Sequence, residues 1–274
     1  MKTFAQFAVL LVVAATTVTA ADYCHICKDH TMCLYQWFGA NCTKRVHWGV
    51  TSSAIKKQIV DLHNQYRSTV AAGKEKRGKP GPQPSASNMM MLAWDDELAQ
   101  VAQRWADQCN FWHDKCRNVE RFGWVGQNLY LSSNWRSDGV KTDDVQDWTR
   151  AMAAFYNEVK DLNYKNVDKF GAYPSKNQTG HYTQLVWGET TLVGCGFTSY
   201  VQREGEKDWF KKFYVCNYGP GGNVIGAPMY KKGEACSSCS STAPNCAQQS
   251  LCAPRLTAAG LVSALAGLVT RVFG

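Results

Sequence analysis

Gly180-His181-Tyr182-Thr183-Gln184-Leu185-Val186-Trp187 opens a stretch whose pattern differs from everything before it. Within it, Tyr182–Trp187 is followed by Val193–Val201 and Trp209–Tyr218, each short, β-branched or aromatic, and bounded by turn residues. That spacing predicts strands. Upstream of Gly180 the apolar residues recur at helical intervals instead. Thr51-Ser52-Ser53 offers N-cap residues ahead of Ile55, Ile59, Leu62 and Tyr66, and Gly73 ends that helix. The prolines of Lys79-Pro80-Gly81-Pro82-Gln83-Pro84 impose an extended path. Asp95-Asp96-Glu97 places negative charge at the start of a second helix, with Leu98, Val101, Ala102, Trp105 and Cys109 as its buried face. A third helix is predicted from about Asp143-Asp144, with Val145, Trp148, Met152, Phe155 and Val159 along one side. Helices first and strands later predict an α+β layered domain.

Outside this domain the chain ends carry other information. Lys2, the apolar run from Phe4 to Ala15 and the small residues before Ala20 form a secretory signal peptide over residues 1–20. Export to an oxidising compartment turns the 12 cysteines into expected disulfides rather than metal ligands. Cys24, Cys27, Cys33 and Cys42 pin a loop-rich segment over residues 21–50, whose end, Asn41 to Thr51, reads as a connector. The main domain is expected over 51–232. Cys236, Cys239, Cys246 and Cys252 make a two-bridge knot over 233–256, in a Ser/Ala-rich stretch that buries almost nothing. Residues 257–274 form a mildly apolar tail, too short and too interrupted by Gly260, Gly267 and Arg271 for a membrane span. A glycolipid-anchor signal is the disfavoured alternative reading of that tail. Asn41-Cys42-Thr43 and Asn177-Gln178-Thr179 are glycosylation acceptor triplets, and Asn177, in a polar loop, is expected to be the more accessible of the two. The formal charge of +8 becomes +7 without Lys2, and no nucleic-acid-binding motif accompanies it.

Catalytic signatures are missing. No His-Glu-x-x-His helix and no Gly-x-Ser-x-Gly elbow occurs, and paired cysteines leave no thiol nucleophile. His63 falls on the patterned face of the first helix and is expected to pack and hydrogen-bond there. His25, His30 and His47 belong to the bridged N-terminal segment.

Four stretches resemble the CAP superfamily of cysteine-rich secretory, antigen-5 and pathogenesis-related proteins. They are His63-Asn64-Gln65-Tyr66-Arg67, Gly126-Gln127-Asn128-Leu129, the Gly180–Trp187 stretch, and Tyr214-Val215-Cys216-Asn217-Tyr218-Gly219-Pro220. Pro80–Pro84, Trp94-Asp95-Asp96-Glu97-Leu98-Ala99 and His113-Asp114-Lys115-Cys116-Arg117 are most similar to the arthropod venom allergen 5 (antigen 5) branch. The resemblance runs roughly from Asp22 to Tyr230. It implies a three-layer α-β-α sandwich with a bridged N-terminal loop segment and the small C-terminal cysteine knot. It also implies the pairs Cys24–Cys33, Cys27–Cys116, Cys42–Cys109 and Cys195–Cys216.

The resemblance further implies a cleft in which His113, His181 and Glu158 could ligate a divalent metal, zinc or copper, with Gln127 lining it. Glutamine has no ionisable oxygen, so it ligates poorly and cannot act as a base. No catalytic residue is assigned and no cofactor is required. The function expected is that of a secreted, extracellular, non-enzymatic binding protein of venom or saliva, engaging a host protein or a small lipid or sterol. A metal-dependent hydrolase or redox scavenger is the alternative. An ion-channel-modulating toxin ranks third, because the cysteine module at Cys236–Cys252 is small.

Overall fold

A computed structural model describes residues 22–135, 146–247 and 250–254. The expected signal peptide, the first residues expected of the third helix (Asp143 to Val145) and the expected tail over 257–274 lie outside the described residues. Elements follow in the order α1 Tyr23–Ile26, α2 Thr31–Leu34, β1 Lys44–Trp48, α3 Ser53–Ala71, β2 Ala93–Trp94, α4 Asp96–Ala106 and β3 Gly126–Trp135. Next come α5 Trp148–Tyr156, 3-10 turns at Asn157–Asp161 and Tyr164–Val167, α6 Gly180–Leu185, β4 Leu192–Glu204, β5 Lys207–Gly219, β6 Asn245–Ala247 and β7 Leu251–Ala253.

The sheet runs β1-β4-β5-β3, with β2 added in parallel to β4. β4 and β5 are long antiparallel neighbours, and β3 pairs with β5 from Gly126 opposite Tyr218 to Trp135 opposite Trp209. α4 covers one face. Its Ala102, Trp105 and Ala106 pack with Leu129, Tyr200, Phe213 and Val215. The helix lies unusually close to the sheet. A Cβ built on Gly194 would sit 2.2 Å from the Ala99 backbone nitrogen, and one on Gly196 would sit 2.4 Å from that of Gln103. α3, α5 and α6 cover the other face, where Ile59, Trp148, Phe155 and Tyr182 pack with Phe197, Tyr214 and Tyr218. The sheet between helical layers is the expected α-β-α sandwich.

Local chemistry explains the helix ends. Asp95 caps α4 by accepting from the Leu98 N–H at 2.8 Å, and Asp147 caps α5 by accepting from Arg150 N–H at 2.9 Å. Gly73 takes φ +66°, the left-handed turn that closes the end of α3.

Three sequence expectations need correction. Tyr182–Trp187 is not a strand, since the residues from Gly180 to Leu185 are helical. A short buried apolar run fits either structure on periodicity alone. The backbone bonding decides. The Glu158 carboxylate accepts the N–H groups of His181 and Tyr182, and the Arg67 guanidinium donates to the carbonyls of Leu185 and Trp187. With both ends satisfied, no partner strand is needed. Asn41 to Thr51 is more than a connector, because β1 pairs with β4 at the sheet edge. The C-terminal cysteine segment also buries more than its composition suggests. Leu251 and Cys252 are inaccessible, and Cys252 N–H donates to the Met89 carbonyl at 2.8 Å.

Six disulfides join all the described cysteines: Cys24–Cys33, Cys27–Cys116, Cys42–Cys109, Cys195–Cys216, Cys236–Cys246 and Cys239–Cys252. Cys27–Cys116 and Cys42–Cys109 fasten the N-terminal segment to the loop after α4, across separations of 89 and 67 residues. Each such bridge is worth about 2–4 kcal/mol.

Candidate functional site

The site forms at the start of β3, the edge strand, which the loop after α4 and α6 both reach. Gln127, Asn217 and Gly194 lie in one register row across β3, β5 and β4 and face α4. The next residue, Asn128, faces the opposite layer. It donates to the His181 carbonyl at 3.0 Å and to the Tyr218 hydroxyl at 3.2 Å. His113 therefore arrives from the α4 side and His181 from the α6 side. They are near enough for a charge on His181 to depress the pKa of His113.

Each imidazole is held by one nitrogen. His113 Nδ1 lies 2.8 Å from Gln127 Oε1, and the Gln127 amide donates from Nε2 to Asn217 Oδ1 at 3.1 Å. Asn217 donates in turn to the Leu98 carbonyl at 3.4 Å. A carbonyl can only accept, so the direction of the whole chain is fixed from Leu98 outward. Gln127 must present its oxygen to His113, and His113 must carry its proton on Nδ1. Burial is the main cause holding the His113 pKa below its ordinary value, with Arg117 and His181 adding to it against the opposing hydrogen bond from Gln127. The ring is neutral at pH 7 with a lone pair on Nε2.

His181 is oriented in the same way by a different partner. Its Nδ1 lies 2.7 Å from Glu158 Oε1, its N–H donates to Glu158 Oε2 at 2.9 Å, and its ring tilts against Phe155 at 4.9 Å. Since the carboxylate accepts, His181 carries a proton on Nδ1, which leaves Nε2 as the nitrogen turned to the cleft. Among the described residues, neither Nε2 has a hydrogen-bond partner.

The structure thus pairs His113 with Gln127 and His181 with Glu158. Glu158 spends its oxygens on His181 and on the backbone of α6 rather than on the cleft. No closed metal cage results. Among the described residues, the one group of three or more His, Cys, Asp or Glu with ligand atoms mutually within 4.8 Å is Cys236, Cys239 and Cys252. Those sulfurs are already bonded in disulfides and cannot act as thiolate ligands. A donor set of two imidazoles, each with its far nitrogen fixed by a carbonyl or carboxylate, is nevertheless chemically suited to zinc or copper.

The remaining histidines have structural surroundings. His63 is fully buried, with Nδ1 2.7 Å from the Ile59 carbonyl and Nε2 3.0 Å from the Tyr218 hydroxyl. Burial lowers its pKa to about 4. His30 lies 2.8 Å from the Asn118 carbonyl and accepts from Met32 N–H, whereas His25 and His47 are exposed. Asn217 and Asn128 are working parts that sequence reading did not single out. The available signal was an amide at each position in runs otherwise suited to buried strands.

Residues 60–218 match the CAP, cysteine-rich secretory protein family. A venom allergen 3 homolog of Dinoponera quadriceps is 43% identical over 233 residues, covering 82% of this chain and 96% of that protein. Venom allergen 5 of Dolichovespula arenaria is 41% identical over 216 residues, covering 77% and 99%. Among solved structures, the crystal structure of NaASP2 with Zn2+ is similar at 32% identity and TM-score 0.57, covering 74% of this chain and 96% of that one.

Proposed function

We propose a function on one premise: this chain belongs to the cysteine-rich secretory protein (CAP) family. It is an antigen-5-like member, related to arthropod venom allergens. In our reading it is an extracellular binding protein whose cleft takes up a divalent ion through His113 and His181 and performs no catalysis. One observation carries this. The two Nε2 atoms have no partner among the described residues, while Gln127 and Glu158 are spent on holding the two rings. A zinc or copper ion held there would supply a positive charge and an open coordination position for a ligand. His113 and His181 would hold it, and Gln127 and Glu158 would keep the rings aligned. The zinc named with NaASP2 agrees with this choice of ion.

Isothermal titration of the metal-free protein with Zn2+ tests the reading. Saturable binding at one site, lost in both His113→Ala and His181→Ala, is expected. Binding that survives both substitutions would refute it.

A second reading concerns small amphiphiles. An open cleft of about 860 Å³ between α3 and β2 is lined by Val60, Met91, Leu92 and Trp94, together with Lys56, Lys57 and Asp61; the lysines are paired with Asp96 and Asp61. That size and mixture suit a small amphiphile such as a fatty acid, whose carboxylate would have to compete with Asp61 and Asp96 for the two lysines. Displacement of a fluorescent fatty acid, weakened by Met91→Glu, is the corresponding test.

A further inference from the structure

Large exposed apolar side chains lie on the N-terminal segment and on the loop after α4, and Phe38 and Trp48 share the Arg45 guanidinium. Trp37 is 78% exposed, Trp112 75%, Trp48 53% and Phe38 46%. The two segments are interlaced. Gln108 donates to the Trp37 carbonyl at 3.1 Å, and Gly39 N–H to the Asp107 carbonyl at 2.9 Å. Such a patch calls for something to cover it.

A rigid turn lies within the patch. Cys42 N–H donates to the Gly39 carbonyl at 3.0 Å, which makes Gly39–Cys42 a β-turn with Asn41 at its third position. The turn is fixed on all sides. A Cβ on Gly39 would meet the Gln108 carbonyl oxygen at 2.6 Å, Cys42 is bonded to Cys109, and the Thr43 hydroxyl donates to the Val201 carbonyl at 3.4 Å. Asn41 itself is exposed, and its side-chain amide has no partner among the described residues. Phe38 stands just before the turn, three residues from Asn41. The Arg45 guanidinium lies over its ring, 2.9 Å from the centroid.

We propose that Asn41 carries an N-linked glycan whose first sugar packs the C–H face of its ring on Phe38, covering that part of the patch and stabilising the N-terminal segment. Attachment joins Asn41 Nδ2 to C1 of the sugar. The C1–oxygen bond to a lipid diphosphate donor breaks, the diphosphate leaves with the electron pair, and the amide gives up one proton. Because the turn is held by the disulfide and by Gly39, little ordering is left for the sugar to supply. Asn177 is a built-in comparison. It is also exposed, but the ring before it, Tyr173, stands four residues away across Pro174 instead of three and is attended by the Lys165 ammonium.

The test uses the full chain secreted from an insect cell line, with peptide mass spectrometry at both asparagines. Occupancy at Asn41 is expected. Asn41→Gln, which removes the acceptor and no hydrogen bond of the turn, should lower Tm by about 2–4 °C, the size of one lost ring contact in a domain of this length. In a Phe38→Ala background the same substitution should leave Tm nearly unchanged, and Thr179→Ala should be neutral throughout. Endoglycosidase trimming of the folded protein to a single sugar should keep the full Tm, a measurement that does not depend on any variant folding. Proton NMR of that trimmed protein should show sugar resonances shifted upfield by the Phe38 ring. An empty Asn41 beside an occupied Asn177 overturns the proposal. So does an equal Tm loss with and without Phe38.

Discussion

His113 Nδ1 and Gln127 Oε1 lie 2.8 Å apart, and the direction of that hydrogen bond is dictated by a backbone carbonyl two side chains away, that of Leu98. The arrangement gives a physical account of the amide at residue 127. Asn217 Oδ1 faces that side chain and requires a donor, which glutamine has and an ionised glutamate lacks.

Replacing Gln127 with Glu should therefore destabilise the metal-free protein at neutral pH. The new carboxylate would face Asn217 Oδ1, and turning the Asn217 amide to relieve this would leave the Leu98 carbonyl unpaired. A loss of about 1–3 kcal/mol is expected in urea unfolding. Adding Asn217→Ser, whose hydroxyl can donate to the carboxylate, should recover part of it.

His63 predicts an acid limb in the stability curve. Its folded pKa of about 4 lies below the ordinary value of 6.5. The unfolded chain therefore binds the proton more readily between those two values. The contribution is complete above pH 6.5 and falls away as the pH drops towards 4, by on the order of 3 kcal/mol in all. Urea midpoints measured from pH 7 to 4 should show this slope. His63→Gln should flatten it while lowering stability at pH 7.

The interval between α4 and the sheet yields a packing prediction. Gly196→Ala puts a Cβ 2.4 Å from the Gln103 backbone, which a rigid helix cannot yield cheaply. A loss of about 3 kcal/mol is expected in thermal or urea unfolding. Gly205→Ala, with φ +60° and no atom within 4 Å of the new Cβ, should cost only about 1 kcal/mol of backbone strain.

Much of this architecture was legible in the chain. The faces of α3 and α4 follow from the spacing of Ile59 and of Leu98, Val101 and Trp105, and β4 and β5 follow from their β-branched runs. β3 was not read as a strand, although Gly126-Gln127-Asn128-Leu129 was recognised as a motif. Its buried amides break the apolar alternation because they serve the site instead of the core. α6 was misread because its ends are satisfied by Arg67 and Glu158, residues distant in sequence. His113, Glu158 and His181 could be named only through family resemblance. Their pairing depends on two layers meeting at a sheet edge, which no local pattern encodes.

The C-terminal hairpin predicts a further loss. β7 inserts Leu251 into the main core, and Met91 N–H donates to the Cys252 carbonyl at 2.8 Å. Replacing Cys239 and Cys252 together by Ala should free the hairpin. Hydrogen exchange at Met91 should accelerate strongly, and stability should fall by about 2–4 kcal/mol.

The most direct test is anomalous scattering at the zinc edge from crystals grown with Zn2+. The account predicts a peak bonded to Nε2 of both His113 and His181, with Gln127 and Glu158 still holding the two Nδ1 atoms. A peak bonded to Nδ1, or a cleft without zinc while the ion sits elsewhere on the protein, would contradict it.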